Sequence, residues 1–199
     1  MKPQPTHSRP LMFQQSSNSR ATETTWLVRP LHQDDIASLT LILREHMRDL
    51  HSGEIVETEV QAVISYMHGM PDALGRTRHY LVAADHCGLV LGCMAIATPD
   101  PTMSRHLATG DTTTFELLNA FVGSRYLRGQ GVGLALFSAL CEVAATDGAH
   151  YLIVNSGPRY RSSWGFYDRV CDSSHGFIEN YYGTSRHAKT WKKRLSSNQ

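Results

Sequence analysis

The stretch YLRGQGVGLALFSAL, residues 126–140, places three glycines within five positions, after a predicted strand and before a predicted amphipathic helix. The first amide hydrogens of a helix have no partner within the helix and lie at the positive end of its dipole. Gly129, Gly131 and Gly133 carry no Cβ atom that would hold a phosphate away, and Arg128 offers a charge-assisted contact to the same oxygens. The stretch therefore predicts a pyrophosphate-binding loop, and a glycine turn needed only for tight packing is the alternative.

Two other phosphate-binding motifs fit this stretch poorly. The nucleotide P-loop requires Lys and then Ser or Thr after its last glycine, and neither is present. The dinucleotide fingerprint, started at Gly129 or Gly131, ends on Leu134 or Leu136, where helix–strand packing needs a small residue. That fingerprint also opens the first βαβ unit of a parallel sheet, whereas this loop lies beyond the middle of the chain. A nicotinamide-dependent oxidoreductase is therefore disfavoured.

The pattern outside the loop predicts helices interleaved with a mostly antiparallel sheet. Strands are predicted at residues 25–31, on both sides of a turn at 86–88, at 113–122, at 150–155 and around 188–195. Helices are predicted at 32–51, at 54–70, after the glycine loop and around 159–170, and residues 99–111 are predicted to form a loop. The helix after the glycine loop should bury a stripe formed by Leu134, Phe137, Leu140, Cys141 and Ala144. This order predicts a three-layer α/β or α+β domain.

Composition limits the classes of partner. The 19 basic and 18 acidic residues leave no net field that would favour nucleic acid or an anionic membrane, so neither partner is expected. Residues 1–24 are rich in Ser, Gln, Thr, Pro and Asn and predict a flexible leader, which leaves residues 25–199 as one domain. With no apolar segment of spanning length and no signal-peptide pattern, a cytoplasmic protein is expected. The sequence leaves monomer and homodimer open.

Cysteines and histidines give no sign of a metal site. Cys87, Cys93, Cys141 and Cys171 form no C-x-x-C pair, so they are predicted to be reduced, partly buried thiols and not a zinc or disulfide framework. The eleven histidines include no H-x-x-x-H spacing and no cluster with cysteine. We therefore expect no metal cofactor.

The loop and its surroundings together resemble one enzyme family. RGQGVG, residues 128–133, is similar to the R-x-x-G-x-G loop of the GNAT N-acetyltransferases, and it lies between the strand FELLNAFV and the helix LALFSALCEVAA, with the strand YLIVN after them. The resemblance extends from Trp26 to the C-terminus through WLVRPLHQDD, the pair YLVAAD and GLVLGCMAIA, and YYGTSRHAKTWKKRL. It implies the GNAT fold and acetyl-coenzyme A as the cosubstrate.

The resemblance also implies which residues hold the cosubstrate. The diphosphate is expected at Arg128, Gly129, Gln130, Gly131, Val132 and Gly133, with Leu134 at the helix start. In the GNAT fold the strand before the loop splays from the next strand, and its free backbone amides pair with pantetheine and polarise the thioester. That role falls on Phe121, Val122 and Gly123, while Asn155 resembles the asparagine that binds the pantetheine arm.

Three side chains are candidates for the proton transfers. Glu116, predicted on the same strand face as Leu118, Ala120 and Val122, could take the proton of an amine, or it could be a solvent-facing charge at a strand end. Tyr167 matches the tyrosine of the family that protonates the leaving thiolate. Tyr160 is its rival, because the segment that follows Asn155 is longer here than in the family. Asn119, polar within an apolar strand, is expected to satisfy a neighbouring backbone group.

The function implied by the resemblance is transfer of an acetyl group from acetyl-coenzyme A directly to a primary amine, without an acyl-enzyme. A GNAT-fold module that binds acyl-coenzyme A without turnover is the alternative. In this fold the acceptor is recognised by the first two helices and by loops, here residues 32–75 and 100–113. These residues contain acids and bases alike, so a small-molecule or peptide amine is expected without a more definite class.

Overall fold

A computed structural model of the chain describes residues 26–110, 113–124 and 129–196. The strands are β1 (Trp26–Pro30), β2 (His79–Asp85), β3 (Val90–Ala97), β4 (Thr114–Val122), β5 (Tyr151–Ser156), β6 (Ser173–Ile178) and β7 (Ala188–Arg194). The helices are α1 (Asp35–His46), α2 (Glu57–Met67), α3 (Pro101–His106), α4 (Val132–Thr146) and α5 (Trp164–Val170), with a 3-10 helix (Pro158–Ser163) before α5. The predicted leader, residues 1–24, and Arg128 lie outside the described residues.

The strands form one seven-stranded sheet in the order β1-β2-β3-β4-β5-β7-β6. Every neighbouring pair is antiparallel except β4 and β5, which are parallel. A parallel pair needs a crossover connection, and α4 provides it. The predicted α/β (α+β) class, with a mixed, mostly antiparallel sheet flanked by helices, is confirmed.

The only parallel pair among the described strands separates before either strand ends. Residues 114–117 of β4 pair with 151–154 of β5, and beyond this point β4 pairs only with β3 while β5 pairs only with β7. We call this opening the fork. It corresponds to the splay between these two strands that the family resemblance led us to expect.

A β-bulge in β4 changes which residues share a face. Ala95 of β3 pairs with Leu118, but Cys93, two residues away, pairs with Phe121, three residues away. The extra residue lies at Asn119, whose φ of 48° is in the left-handed region that Asn tolerates better than most residues. Because side chains alternate with a period of two, the bulge moves Ala120 to the opposite face. The prediction that Glu116 shares a face with Ala120 and Val122 is therefore wrong.

Each face of the sheet has its own core. The α4 face buries Leu136, Phe137, Leu140 and Ala144 of α4 against Leu117, Leu152 and Val154, among others. The other face, which we call the α1/α2 face, packs Leu39, Leu43, Val60 and Val63 against Val82, Cys93 and Phe121. The predicted stripe of α4 is confirmed for three residues, but Leu134 is 51% exposed and Leu136 takes the buried position.

Two elements were not predicted. The predicted loop at 99–111 contains α3, which begins with Pro101 and is capped by the Asp100 carboxylate, accepting from the Thr102 N–H at 2.6 Å. Strand β6, mostly exposed, pairs with β7 at the edge of the sheet and lacks the alternation of apolar residues that marks a half-buried strand. No helix in the described parts of the chain is both long and apolar enough to cross a membrane.

Candidate active site

The glycine loop leads directly into the N-terminus of α4. Gly131 is the residue before the first helical position, its φ is 86°, and no described side chain caps the helix there. The first amide bonded within the helix belongs to Ala135, which donates to the Gly131 carbonyl at 2.9 Å. The amides of Val132, Gly133 and Leu134 precede it, at the positive end of the helix dipole. This geometry suits an anion, and binding of the diphosphate here stays a prediction.

The conformation of the loop explains two of its glycines. Gly129 and Gly131 have φ values of 105° and 86°, which only glycine adopts without strain. A Cβ atom at Gly133 would make only ordinary contacts with Phe166, so packing among the described residues does not require glycine there. Gln130 is exposed beside the helix start, and Arg128 lies outside the described residues.

The backbone at the end of β4 is less available than predicted. The Gly123 amide donates to the Leu91 carbonyl at 2.9 Å, so it is not free for pantetheine. Amides of an antiparallel strand alternate sides, which also directs the Phe121 amide toward β3. The backbone groups of Val122 point toward the fork, but the Val122 carbonyl already accepts from His46 Nε2 at 2.8 Å. The expectation of free amides is therefore wrong for Gly123 and Phe121, and for Val122 it stays a prediction.

Glu116 lies at the base of the fork and is only 1% exposed. Its Oε2 accepts from Arg76 Nη1 at 2.9 Å and from the Asp100 N–H at 2.8 Å, and its Oε1 accepts from Asn155 Nδ2 at 2.6 Å. Burial raises the pKa of Glu116, while the Asp100 N–H and Arg76 oppose that rise. The alternative of a solvent-facing charge is excluded.

Asn155 joins the two arms of the fork. Its Nδ2 donates to Glu116 on β4, and its Oδ1 accepts from the Tyr182 hydroxyl. A Cβ atom at Gly157 would lie 2.9 Å from Cδ2 of the Tyr182 ring, so that ring requires glycine beneath it. Tyr182, 39% exposed, follows the unpredicted strand β6, which is why sequence reasoning missed it.

A chain of ionic and polar contacts extends from Glu116 toward β2. Asp72 accepts from Arg76 Nε at 2.9 Å and from Arg78 Nη2 at 3.3 Å. Burial alone would raise the pKa of Asp72, but the hydrogen bonds from the Arg76 side chain and backbone and from the Leu74 backbone lower it to about 2.

Asn119 is the far end of this chain of contacts. Its side-chain oxygen accepts from Arg78 Nη1 and, at 2.8 Å, from the Tyr80 hydroxyl. The expectation that Asn119 satisfies a backbone group is wrong, because the bulge turns its side chain toward β2. An Asn within an apolar strand was the only sequence signal for this arrangement.

The two candidate acids lie on opposite faces of the sheet. Tyr167 is 5% exposed in the α4-face core, with its ring centroid 5.1 Å from that of Trp191. Tyr160 packs on the α1/α2 face, edge-on to Phe121 at 6.0 Å. Burial raises the pKa of both phenols. The structure therefore places Tyr160, and not Tyr167, on the same face as Glu116.

Cysteine and histidine do not assemble into a site within the described ranges. All four cysteines are free, with Cys93 buried and Cys87 exposed. In the parts of the chain that the structure describes, no group of three or more His, Cys, Asp or Glu side chains could hold a metal ion.

Comparison with known proteins identifies the family. The model of the acetyltransferase (GNAT) family matches residues 41–172, which is most of the domain described above. The chain belongs to the GNAT acetyltransferase family. Its glycine loop, fork and helix α4 are thus parts of an acetyl-coenzyme A-binding fold. Among curated proteins, none matches this chain.

Solved structures share the GNAT fold at low sequence identity. A protein from Desulfovibrio desulfuricans assigned to the GNAT acetyltransferases has a TM-score of 0.66 and 14% identity, covering 86% of this chain and 100% of that one. A GNAT acetyltransferase from Staphylococcus aureus Mu50 has a TM-score of 0.63 and 11% identity, with coverages of 86% and 100%. A Salmonella typhimurium protein assigned as an acetyltransferase, solved with its cofactor acetyl-CoA, has a TM-score of 0.61 and 16% identity, with coverages of 88% and 96%.

Proposed function

We propose that this GNAT protein is an N-acetyltransferase that moves an acetyl group from acetyl-coenzyme A directly to a primary amine. One observation carries the proposal: a buried carboxylate, Glu116, is held at the base of the β4/β5 fork. After β4 the chain leads through the glycine loop into the N-terminus of α4, which no described side chain caps. A base on β4 suits an amine acceptor, and an anion site at the start of α4 suits an acetyl donor that carries a diphosphate.

The donor is assigned to the loop and to β4. The amides of Val132, Gly133 and Leu134 are oriented for the diphosphate, with Gly129, Gln130 and Gly131 allowing its approach and Arg128 adding charge. Val122 is the backbone position that faces the fork, and His46 would have to release the Val122 carbonyl if pantetheine pairs there. The Asn155 amide, already bonded to Glu116, lies beside the same path.

The reaction needs one base and one acid. The amine nitrogen attacks the thioester carbonyl carbon, a C–N bond forms, the C–S bond breaks, and one amine proton must leave. A carboxylate has about four lone-pair directions, and three of those on Glu116 receive hydrogen bonds. The remaining direction can accept the amine proton, directly or through water. Burial raises the pKa of Glu116, which brings it closer to the pH at which a base must work.

The thiolate then takes a proton from a tyrosine. Tyr167 is our first choice because of its resemblance to the family tyrosine, although it is buried on the α4 face. Tyr160 is the alternative because it shares the α1/α2 face with Glu116.

One observation favours a second function, a binding module without turnover. Glu116 is engaged by an arginine and two other donors, as a purely structural carboxylate would be. Thiol release from acetyl-coenzyme A across a panel of primary amines separates the two functions. The cosubstrate at a hundred times its Kd should add about 2.7 kcal/mol to the free energy of unfolding. Such stabilisation together with amine-dependent thiol release supports the enzyme, and stabilisation with no thiol released for any amine supports the module.

A further inference from the structure

Arg78, near the start of β2, has a guanidinium whose hydrogen bonding is incomplete. Its side chain is 9% exposed and stacks on the Tyr66 ring, with Cζ 3.8 Å from the ring centroid. Nη1 donates to Asn119, and Nη2 donates to Asp72 over a long 3.3 Å. Nε is buried and has no partner among the residues that the structure describes. A buried donor left unpaired is costly, and native proteins rarely keep one without a reason.

The incompletely bonded edge is the one that binds carboxylates side-on. Nε and Nη2 point in parallel in the guanidinium plane and can donate together to the two oxygens of one carboxylate. Asp72 does not fill this edge, because its Oδ2 already accepts from Arg76 Nε at 2.9 Å and lies 2.8 Å from Arg76 Nη2. Asp72 therefore takes one donor of this edge through a long contact, and Arg78 Nε is left for a second anionic partner, which a side-chain movement must admit because Nε is buried.

Arg78 borders a cavity, and a chain of side-chain contacts links it to Glu116. Arg78 lines a cavity of about 510 Å³ together with Tyr66, Tyr80 and Thr77. Asp72 contacts both Arg78 and Arg76, and Arg76 reaches Glu116. Asn119, which Arg78 also contacts, lies three residues from Glu116 on β4. An acceptor whose amine approaches Glu116 could thus place a second group at Arg78.

We propose that Arg78 binds a carboxylate of the acceptor, so that the substrates are primary amines that also carry a carboxylate, such as amino acids. The inference rests on the proposed acetyl transfer and adds the class of acceptor. The formal charges of two acids and two arginines cancel in this cluster, which consists of Asp72, Glu116, Arg76 and Arg78. The ligand carboxylate therefore meets a neutral cluster in which Arg78 Nε has no partner among the described residues. The stacked Tyr66 ring holds that guanidinium in plane for bidentate pairing.

The test on the unmodified protein uses matched pairs of amines. Each pair consists of an amino acid and its methyl ester, which retains the amine and the side chain and removes the anion. We expect kcat/KM for the acid to exceed that for the ester by about 30-fold, the loss expected for a bidentate charged contact. Equal values for acid and ester would overturn the carboxylate site and leave acetyl transfer intact. Absence of thiol release with every amine would instead overturn the proposed function, and this inference with it.

Substitution of Arg78 tests the same site. Arg78→Lys keeps the charge and removes the planar pair of donors, so KM for the acid should rise about 10-fold or more while KM for the ester and for acetyl-coenzyme A stays within about twofold. Arg44→Lys, in the exposed Arg44–Glu57 pair of α1 and α2, is the matched control and should change none of these values. An unchanged KM for the acid in folded Arg78→Lys would overturn the site. If the variant does not fold, the thermal midpoint of the unmodified protein decides, because the acid and not the ester should raise it in the presence of coenzyme A.

Discussion

The two faces of the sheet are built in different ways. On the α4 face, apolar side chains form the core, and the part that contacts the cosubstrate in our proposal is backbone at the start of α4. On the α1/α2 face, the apolar core gives way near the fork to a chain of buried charges and amides around Glu116, Asp72 and Arg78. The first arrangement depends on local conformation, and the second depends on side chains brought together from distant segments.

This difference separates the two halves of the proposed reaction. Holding a diphosphate requires oriented amides, which a glycine turn and a helix start provide regardless of most side chains. Selecting and deprotonating an amine requires particular side chains at particular places. We therefore expect substitutions on the α1/α2 face to change turnover and acceptor choice, and substitutions at the start of α4 to change binding of the cosubstrate.

The largest effect is expected for Glu116→Gln. Loss of the base should lower kcat by about 10²- to 10⁴-fold in the thiol-release assay, while the Kd for acetyl-coenzyme A measured by calorimetry changes little. Glu142→Gln, at an exposed position of α4, is the control and should retain activity. If Glu116→Gln kept kcat within a few-fold of the unmodified protein, the polar chain of the α1/α2 face would be structural only.

The two tyrosines test directly which face supplies the acid. Tyr167→Phe should lower kcat by about 100-fold because the leaving thiolate loses its proton donor, whereas Tyr160→Phe should lower it only a few-fold. Phe preserves the ring contacts with Trp191 and Phe121, so both variants should fold, which circular dichroism and thermal midpoints would check. If Tyr160→Phe lowered kcat more than Tyr167→Phe, Tyr160 would be the acid, and both proton transfers would take place on the α1/α2 face.

A smaller effect is expected when Asp72 is replaced, and it concerns the free energy of unfolding. Its pKa of about 2 in the folded protein lies below its ordinary value of 3.8, so the ionised form is favoured by folding. This contribution is present above about pH 4 and is lost as the pH falls through 4 toward 2, and the shift corresponds to about 2 kcal/mol. Asp72→Asn should therefore lower the free energy of unfolding in urea by about 2 kcal/mol at pH 7 and by about half as much at pH 3.

Asp34→Asn, exposed before α1, serves as the control for this experiment. A loss in Asp72→Asn that was the same at pH 7 and pH 3 would mean that the carboxylate charge of Asp72 does not stabilise the network. The charged chain would then contribute no more to stability than a neutral one.

The same contrast explains what the sequence could predict. The fold, the glycine loop and the helix after it follow from local signals: turn residues, apolar periodicity and a motif of adjacent positions. Glu116 was found because a carboxylate on the strand before the glycine loop could take the proton of an amine. Ala120 and Val122 were assigned wrongly to its face, since a bulge at Asn119 has no reliable local signal.

The partners of Glu116 could not be predicted for a different reason. Arg76 and Asn155 lie 40 and 39 positions away along the chain, and Tyr182 reaches Asn155 from beyond a strand that lacks the usual alternation. Such contacts depend on sheet order and register, which short-range patterns do not determine.

Two glycines with nearly the same backbone conformation give the last comparison. Gly131, at the start of α4, has a φ of 86°, and Gly69, after α2, has a φ of 85°. Alanine at either position should cost about 1–2 kcal/mol in the free energy of unfolding measured in urea without ligand, because both force the left-handed conformation on a residue with a Cβ atom. Only Gly131→Ala should also weaken acetyl-coenzyme A binding, by about 10-fold in calorimetry, since only there does the strain turn amides of the helix start away from the diphosphate. Equal Kd values for the two variants would show that the cosubstrate does not depend on this backbone, and the distinction between a backbone-built α4 face and a side-chain-built α1/α2 face would no longer hold.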